Sequence, residues 1–156
     1  MDLFNINRVV ASAQGVGVAQ GALDKAVAYM RERSAFGSTL ASFQGLQFKV
    51  ADMAARIESA RALYHKAAWT VDQGQVDRKL VSIAKLVAGE TAVRVTDEAL
   101  QLHGGYGYMD EYDVERFYGT PRSWRSTRAP KSSRCSPLHG KSSEVAETEY
   151  QFAFEE

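Results

Sequence analysis

The absence of proline from the first 118 residues is the feature that most constrains the fold of this chain. All three prolines of the 156-residue sequence lie beyond that point, at Pro121, Pro130 and Pro137. A proline inside a helix removes a backbone hydrogen bond and clashes with the preceding turn. A long stretch without proline, with apolar residues at helical spacing, therefore predicts long uninterrupted helices.

Three helical segments follow from that spacing. The first runs from about residue 5 to 33 and carries three glycines that allow close approach of a neighbouring helix. The second begins near Ser42 or Phe43 and ends near Asp72, before a glycine. The third begins near Val76 and stops at the glycines of the segment HGGYGY. Because short connections between long helices make them antiparallel neighbours, the fold class is all-α, an up-and-down helical bundle.

Overall composition excludes several functions. The formal net charge is zero, with 19 basic and 19 acidic residues, which indicates no general attraction to nucleic acid or to an anionic membrane. No apolar run is long enough to span a bilayer, and the N-terminal segment MDLFNINRVV lacks the features of a signal peptide. The single cysteine, Cys135, rules out a disulfide framework within the chain and favours a reducing, cytoplasmic location.

The sequence changes character at Gly119. Every charge from Gly119 to Ser143 is basic, and every charge from Glu144 to Glu156 is acidic. We expect residues 1–118 to form the folded domain and residues 119–156 to be an irregular, largely disordered tail. Trp124 is the only aromatic residue of the basic run, which gives little support to nucleic-acid binding.

The segment HGGYGY, from His103 to Tyr108, is similar to a glycine-rich phosphate loop. It follows a helix rather than a strand, so the dinucleotide fingerprint of a Rossmann unit does not apply. Residue chemistry alone favours a simpler interpretation, in which Gly104 and Gly105 end the third helix and permit positive φ angles.

The segment RERSAFG, from Arg31 to Gly37, allows two interpretations. Its arginines can offset the negative end of the helix dipole, which residue chemistry alone favours. Alternatively, they form an anion site with Phe36 as an aromatic wall, suited to a nucleotide pyrophosphate. His65 and His103 belong to different helices and to no cluster at ligand spacing, so we expect no metal site. The sequence offers no nucleophile elbow for hydrolysis.

Two long segments, RERSAFGSTLASFQGLQFKVADMAARIESARALYHKAAW and AKLVAGETAVRVTDEALQLHGGYGYMDEYDVERFY, closely resemble acyl-CoA dehydrogenases. The resemblance covers residues 8–118 and falls in the C-terminal, all-α domain of that family. It implies that an N-terminal helical domain and a central β domain precede this region in the family. It also implies FAD as cofactor, bound between domains and across a subunit interface, a homotetramer, acyl-CoA substrates, and an electron-transferring flavoprotein as electron acceptor.

The same resemblance implies roles for individual residues. The segment after the first helix, SAFGSTLASFQ, is predicted to be a turn. In the family, the arginine and phenylalanine of an R-x-x-F-G turn at this place contact FAD of a neighbouring subunit, a glutamine follows the turn, and a Q-x-x-G-G segment approaches the flavin nucleotide. The corresponding residues here are Arg33, Phe36, Gln44, Gln101, Gly104 and Gly105. An arginine early in the first helix lies near the acyl thioester and the catalytic base, and it corresponds to Arg8.

The catalytic glutamate of the family is missing from this sequence. After E-R-F-Y the family continues with R-D-A-K and then I-Y-E-G-T, whose glutamate removes the α proton, whereas this chain reads GTPRSWRSTRAP. We infer that one nucleotide is missing just after the codon for Tyr118, because its loss converts codons for the family's sequence into codons for the sequence of this chain. Arg128 then occupies the position of the catalytic glutamate, and an arginine cannot accept a proton near neutral pH. Asn7 stands at the base position that some members use.

Two expectations follow for the isolated chain. It lacks the fourth helix that closes the family's bundle, and it does not catalyse dehydrogenation. The alternative to a flavoenzyme domain is a non-catalytic helical module, whose exposed apolar face drives self-association.

Overall fold

The structure is a computed structural model that describes residues 2–119, and three long helices pack in it as a bundle. Helix α1 spans Asp2–Glu32, α2 spans Gln44–Asp72 and α3 spans Arg78–His103. The prediction of an all-α bundle with three long helices is therefore confirmed. The predicted tail lies outside the described residues, apart from Gly119.

The helix boundaries fall close to those that the sequence predicts. Helix α1 begins at Asp2, three residues before the predicted start. Helix α3 begins at Arg78 because Asp77 caps it, and the Oδ1 of Asp77 accepts a hydrogen bond from the backbone N–H of Leu80 at 3.0 Å. An aspartate at this position satisfies an amide that the first helical turn leaves without a partner.

A small hairpin connects α1 to α2 where the sequence predicts only a turn. Strands β1 (Ser34–Ala35) and β2 (Ser38–Thr39) are antiparallel, with Ser34 opposite Thr39. A short 3-10 helix, Leu40–Ser42, leads from the hairpin into α2.

Long-range contacts fix the helix directions. Arg8 of α1 donates a hydrogen bond to Ser82, in the first turns of α3, while Tyr29 and His103 stack near the ends of the same two helices. Helices α1 and α3 are therefore parallel. Lys49, early in α2, pairs with Glu98, late in α3, so α2 is antiparallel to both. Consecutive helices are antiparallel, as their short connections predict.

Small residues let the helices approach closely. A β-carbon added at Gly15 of α1 would lie 3.3 Å from the carbonyl oxygen of Ala88 in α3. Many residues of the main core cluster are alanines; its buried members are Val16, Ala19, Ala22, Leu23, Ala26, Met30, Met53, Ile57, Ala60, Ala88, Val95, Ala99, Leu100, Leu102 and Val114. Close backbone approach and dense packing replace the bulk of larger side chains.

A fourth helical segment returns along α1. After two 3-10 helices, Gly104–Tyr108 and Asp110–Tyr112, residues 114–119 are helical. The ring of Phe117 packs so closely on Gly21 that a β-carbon there would lie 2.8 Å from its Cε1. The predicted loss of the closing helix concerns residues beyond this segment, outside the described part of the chain. Within residues 2–119, no helix is long and apolar enough to cross a membrane.

Replacing Gly15 by leucine tests the close contact between α1 and α3. We expect Gly15→Leu to lower the free energy of unfolding by about 1–3 kcal/mol, because the side chain must enter a packed helix interface. Gly17→Leu is the matched control, since a β-carbon at Gly17 meets nothing within 4 Å and leucine favours the helix over glycine. Urea unfolding measures both variants, and equal stabilities would contradict the proposed interface.

Candidate functional site

A groove of about 470 Å³ lies at the end of the bundle where α1 and α3 finish and α2 begins. Its size falls within the range of about 300–1,000 Å³ that small-molecule pockets occupy. It is lined by Tyr29, Arg33, Leu40, Leu46, Lys49, Gln101, Leu102, His103, Gly104 and Tyr106. Cations, an amide, aromatic rings and leucines therefore face one space.

Three of the predicted site residues line this groove. Arg33 follows α1, whereas Gln101 and Gly104 lie at the end of α3, and the parallel packing of the two helices brings them together. Gly105 follows the groove residue Gly104 in the sequence and is exposed. Gln44, also exposed, is the first residue of α2, two positions before the groove residue Leu46.

Arg33 is held at both its backbone and its side chain. Its N–H donates to the carbonyl oxygen of Tyr29 at 2.9 Å, and its own carbonyl accepts from the N–H of Leu40 at 2.8 Å. The guanidinium carbon lies 5.1 Å from the ring centroid of Tyr106, within the range of a cation–π contact. The side chain therefore has a defined place at the groove.

Phe36 occupies the tip of the hairpin and points away from the described chain. Its side chain is 99% exposed, and its φ angle is 53°, followed by 80° at Gly37. Positive φ at both central residues matches a type I′ turn, which normally takes asparagine or glycine first. A bulky residue in this conformation costs roughly 1–3 kcal/mol, which makes an exposed, strained phenylalanine a candidate for a contact outside its own chain.

Different structural constraints act on the glycines that follow α3. Gly104 ends the helix with φ 58° and ψ −136°, which confirms the prediction of a positive φ at this glycine. For Gly105 the prediction is wrong, because its φ is not positive and the residue continues the 3-10 helix Gly104–Tyr108. Gly107 has no positive φ, but a β-carbon there would lie 2.9 Å from the carbonyl oxygen of Leu100. Added β-carbons at Gly104 and Gly105 would meet nothing within 4 Å, so backbone at these two positions is open to approach.

An aromatic cluster supports the floor of the groove. Tyr29 stacks on His103 with centroids 4.4 Å apart, and Tyr112 contacts the edges of both rings. The Nδ1 of His103 donates to the carbonyl oxygen of Ala99 at 2.8 Å, since a carbonyl can only accept. Burial raises the pKa of the Tyr29 phenol, although Arg33 opposes the rise, so Tyr29 stays neutral near pH 7.

Arg8 lies at the opposite end of α1 from the groove. Its Nη1 donates to the Oγ of Ser82 at 3.3 Å, and its guanidinium carbon lies 4.6 Å from the ring centroid of Phe4. Asn7, beside it, is exposed. The structure therefore does not bring Arg8 together with Arg33 and Gln101 within one chain.

Two further predictions concern Arg128 and metal binding. Arg128, which stands at the base position by resemblance, lies outside the described residues. Among residues 2–119, no group of three or more histidine, cysteine or acidic side chains could hold a metal ion.

Sequence reasoning missed Lys49, Tyr29 and Tyr106 as groove residues. The Nζ of Lys49 lies 2.7 Å from the Oε2 of Glu98. In the sequence Lys49 is one charged residue in an amphipathic helix, and Tyr29 is one aromatic residue of the first helix. Tyr106 belongs to the segment HGGYGY, in which only the glycines suggested a role. No local signal assigns them to Arg33, because only the packing of three helices makes them neighbours.

Comparisons with known proteins show the family to which this chain belongs. The model of a family described as "Acyl-CoA dehydrogenase, C-terminal domain" matches residues 1–127, which extends past Tyr118. The chain is 50% identical over 109 residues to the "Probable acyl-CoA dehydrogenase YngJ" of Bacillus subtilis (strain 168), covering 70% of this chain and 29% of that protein. Against the "Caffeyl-CoA reductase-Etf complex subunit CarC" of Acetobacterium woodii, the identity is 43% over 118 residues, with coverages of 76% and 31%.

A solved structure shows the same fold. Butyryl-CoA dehydrogenase from Megasphaera elsdenii matches with a TM-score of 0.80 and 39% identity, over 83% of this chain and 34% of that chain. The class that the fold defines is thus the helical C-terminal domain that the family model describes. This chain belongs to the acyl-CoA dehydrogenase family. It spans under a third of the length of the two curated relatives.

The two glycines Gly107 and Gly105 provide a test of how tightly the groove's edge is packed. We expect Gly107→Ala to lower the free energy of unfolding by about 1–3 kcal/mol, because the new methyl group meets backbone that cannot rotate away. Gly105→Ala should change it by no more than about 0.5 kcal/mol, since its site is open. Thermal and urea unfolding compare the two, and a stable Gly107→Ala variant would refute the close contact with Leu100.

Proposed function

We propose that this chain is the C-terminal helical part of an FAD-dependent acyl-CoA dehydrogenase, an oxidoreductase that introduces a double bond between the α and β carbons of an acyl-CoA thioester. The observation that carries the proposal is the convergence of Arg33, Gln101 and Gly104 on one groove. The relatives' names, dehydrogenases and reductases of CoA thioesters, support the reaction class.

The groove residues fit part of FAD. Arg33 would bind a phosphoryl oxygen, and Gln101 would offer an amide hydrogen bond. The open backbone at Gly104 and Gly105 allows close approach of a nucleotide, while Gln44 lies at the start of α2. Phe36 would supply an aromatic wall to the cofactor of a neighbouring subunit. When bound, FAD would supply the acceptor for the hydride that leaves the β carbon.

The position of Arg8 supports an oligomer. Arg8 and Arg33 are separated by 25 residues, which corresponds to about 38 Å along a helix at 1.5 Å per residue. One chain therefore holds Arg8, which we place near the acyl thioester, and Arg33, which we place near the nucleotide, at opposite ends of α1. A homo-oligomer, in which each cofactor site takes residues from two chains, resolves this separation. We further propose an electron-transferring flavoprotein as partner and a cytoplasmic location.

The isolated chain is proposed to be inactive. Dehydrogenation transfers the α proton to a carboxylate base, and neither Arg128 nor Asn7 can take this role. A one-base frameshift after Tyr118 accounts for the missing glutamate. Reading the coding DNA from upstream of Met1 to beyond that codon tests this origin, and an unrelated in-frame coding sequence there would exclude it.

A second candidate function is self-association without catalysis. Large apolar side chains remain exposed on the described chain, among them Phe48 at 64% and Trp69 at 63%. Such surface is typical of an interaction site. Flavin retained on purification supports the flavoenzyme domain, whereas a colourless oligomer supports this alternative.

Activity of the chain itself is the first functional test. Purified chain mixed with FAD, a range of acyl-CoAs and an artificial electron acceptor should reduce no acceptor, because no carboxylate stands at the base position. Acceptor reduction above the rate without protein would contradict the proposal of an inactive fragment. Butyryl-CoA dehydrogenase from Megasphaera elsdenii serves as the positive control for the assay.

A paired arginine test addresses the cofactor site in the longer protein that the coding DNA specifies once the frame is restored. Arg33→Met should reduce FAD affinity about tenfold or more, since a charge-assisted hydrogen bond contributes about 1.5–3 kcal/mol. Arg31→Met is the matched control, because Arg31 is exposed on the same helix end and does not line the groove. Equal flavin retention in both variants, measured by absorbance after dialysis, would remove Arg33 from the site.

A further inference from the structure

Helix α2 keeps two large aromatic side chains on its outer side. Met53, Ile57 and Ala60 bury the opposite side of the helix in the core. Residues spaced three, four and seven apart share one side of a helix. The outer face of α2 consists of six exposed residues with this spacing: Phe48, Ala51, Ala55, Ala62, Lys66 and Trp69.

The two aromatic residues stand at opposite ends of this outer face. Phe48 is 64% exposed and Trp69 is 63% exposed. They are 21 residues apart, which corresponds to about 32 Å along a helix at 1.5 Å per residue. Folding of one chain covers neither ring, and large aromatic side chains left exposed are typical of interaction surfaces.

The outer face of α2 is symmetric in its spacing. The successive separations are 3, 4, 7, 4 and 3 residues, so the spacing is the same in both directions. The six residues form three pairs about one midpoint, which lies between Glu58 and Ser59: Phe48 with Trp69, Ala51 with Lys66, and Ala55 with Ala62. A two-fold axis at this midpoint, normal to the plane of two antiparallel helices, places each residue opposite the other member of its pair in a second copy.

From this symmetry we infer that the outer face of α2 binds the same face of a second copy of this chain, with the two helices antiparallel and the two-fold axis between Glu58 and Ser59. The inference rests on the self-association proposed above. It adds to that proposal the face, the direction of the two helices and their register.

The sizes of the side chains fit two helices that cross on this face. Packed helices cross at an angle, so they are closest at the crossing point and diverge toward their ends. Ala55 lies opposite the partner's Ala62 close to the axis, where only small side chains fit. Phe48 lies opposite the partner's Trp69 at each end, where the larger gap takes two aromatic rings. One exposed face therefore supplies both halves of the contact.

The charges favour the antiparallel direction. Lys66 lies opposite the partner's Ala51 and beside the partner's Asp52. The Oδ2 of Asp52 accepts from the Nε of Arg56 at 2.7 Å, and a carboxylate can accept further hydrogen bonds. In a parallel pair in the same register, Lys66 would instead meet the partner's Lys66, and like charges disfavour such a contact.

Glu58 is the one acidic residue that this arrangement brings near its own copy. It lies next to the axis, so the two carboxylates approach each other. Each is offset by Arg61, whose Nε lies 3.0 Å from the Oε1 of Glu58 in the same chain. The arrangement therefore brings together two neutral ion pairs rather than two isolated negative charges.

Analytical ultracentrifugation of the purified chain tests the aromatic contacts. We expect a monomer–dimer equilibrium that Phe48→Ser and Trp69→Ser each weaken about tenfold or more, because a substitution removes two contacts from a symmetric dimer. Tyr108→Ser is the matched control, since Tyr108 is 73% exposed and lies outside α2. All three side chains are exposed, so the variants should keep the unfolding temperature of the parent chain.

Charge reversal tests the direction of the helices. Lys66→Glu and Asp52→Lys should each weaken the dimer, and the double variant should recover affinity, because the opposite charges face each other again. Lys25→Glu makes the same change at an exposed lysine of α1 and should leave the equilibrium unchanged. A double variant no tighter than the weaker single variant would overturn the antiparallel direction.

Disulfide cross-linking tests the register, in a chain that carries Cys135→Ser to remove its only thiol. Ala55→Cys and Ala62→Cys chains, mixed and oxidised, should form a heterodimer. Each variant alone should not cross-link, since its two copies are offset by seven residues, about 10 Å along the helices. Cross-linking of either variant with itself, as efficient as in the mixture, would contradict this register.

The remaining outcomes separate this inference from the proposed function. A chain that stays monomeric at the highest concentration reached overturns both the α2 pairing and self-association, and leaves the outer face of α2 to another part of the longer protein. A dimer that Phe48→Ser and Trp69→Ser leave intact overturns the α2 pairing alone. Neither result bears on the flavoenzyme proposal, which depends on flavin retention.

Discussion

The close approach of α1 and α3 sets the geometry of the whole groove end of the bundle. Gly15 and Ala88 meet backbone to backbone, and this contact leaves the two helices parallel and in register, so that Tyr29 stacks on His103. Arg33 and Gly104 each follow directly on these helix ends, with α1 ending at Glu32 and α3 at His103. Larger side chains between the helices would separate the two ends and with them the walls of the groove.

Helix dipoles explain why the groove needs cations. Helices α1 and α3 present their negative C-terminal ends there, which disfavours an anion, while α2 presents its positive N-terminal end. Arg33 and Lys49 shift the balance in favour of a negatively charged ligand. Phe43, the residue before α2, makes no side-chain capping bond, so the first amides of α2 add to this positive side.

Phe36 and Arg8 are two candidate residues that do not line the groove of their own chain. The phenylalanine sits at positive φ on the hairpin tip and is almost fully exposed, while Arg8 lies at the far end of α1 from the groove. Both features have a simple explanation if copies of the chain assemble, because residues that are distant within one chain can then serve one cofactor. The family's shared site between subunits, implied by the sequence, fits this arrangement.

The sequence by itself determined the three helices and where they stop. Helical spacing, the absence of proline before residue 119 and the glycines after His103 act locally, so the pattern along the chain contains them. Family motifs also predicted Arg33, Gln101 and Gly104 as site residues, and the three line one groove. Only the tertiary structure decided that Lys49 and Tyr106 join Arg33, that a hairpin carries Phe36, and that Gly107 must be small. These features depend on which helix faces meet and how closely, and packing between distant segments leaves no local signal in a single sequence.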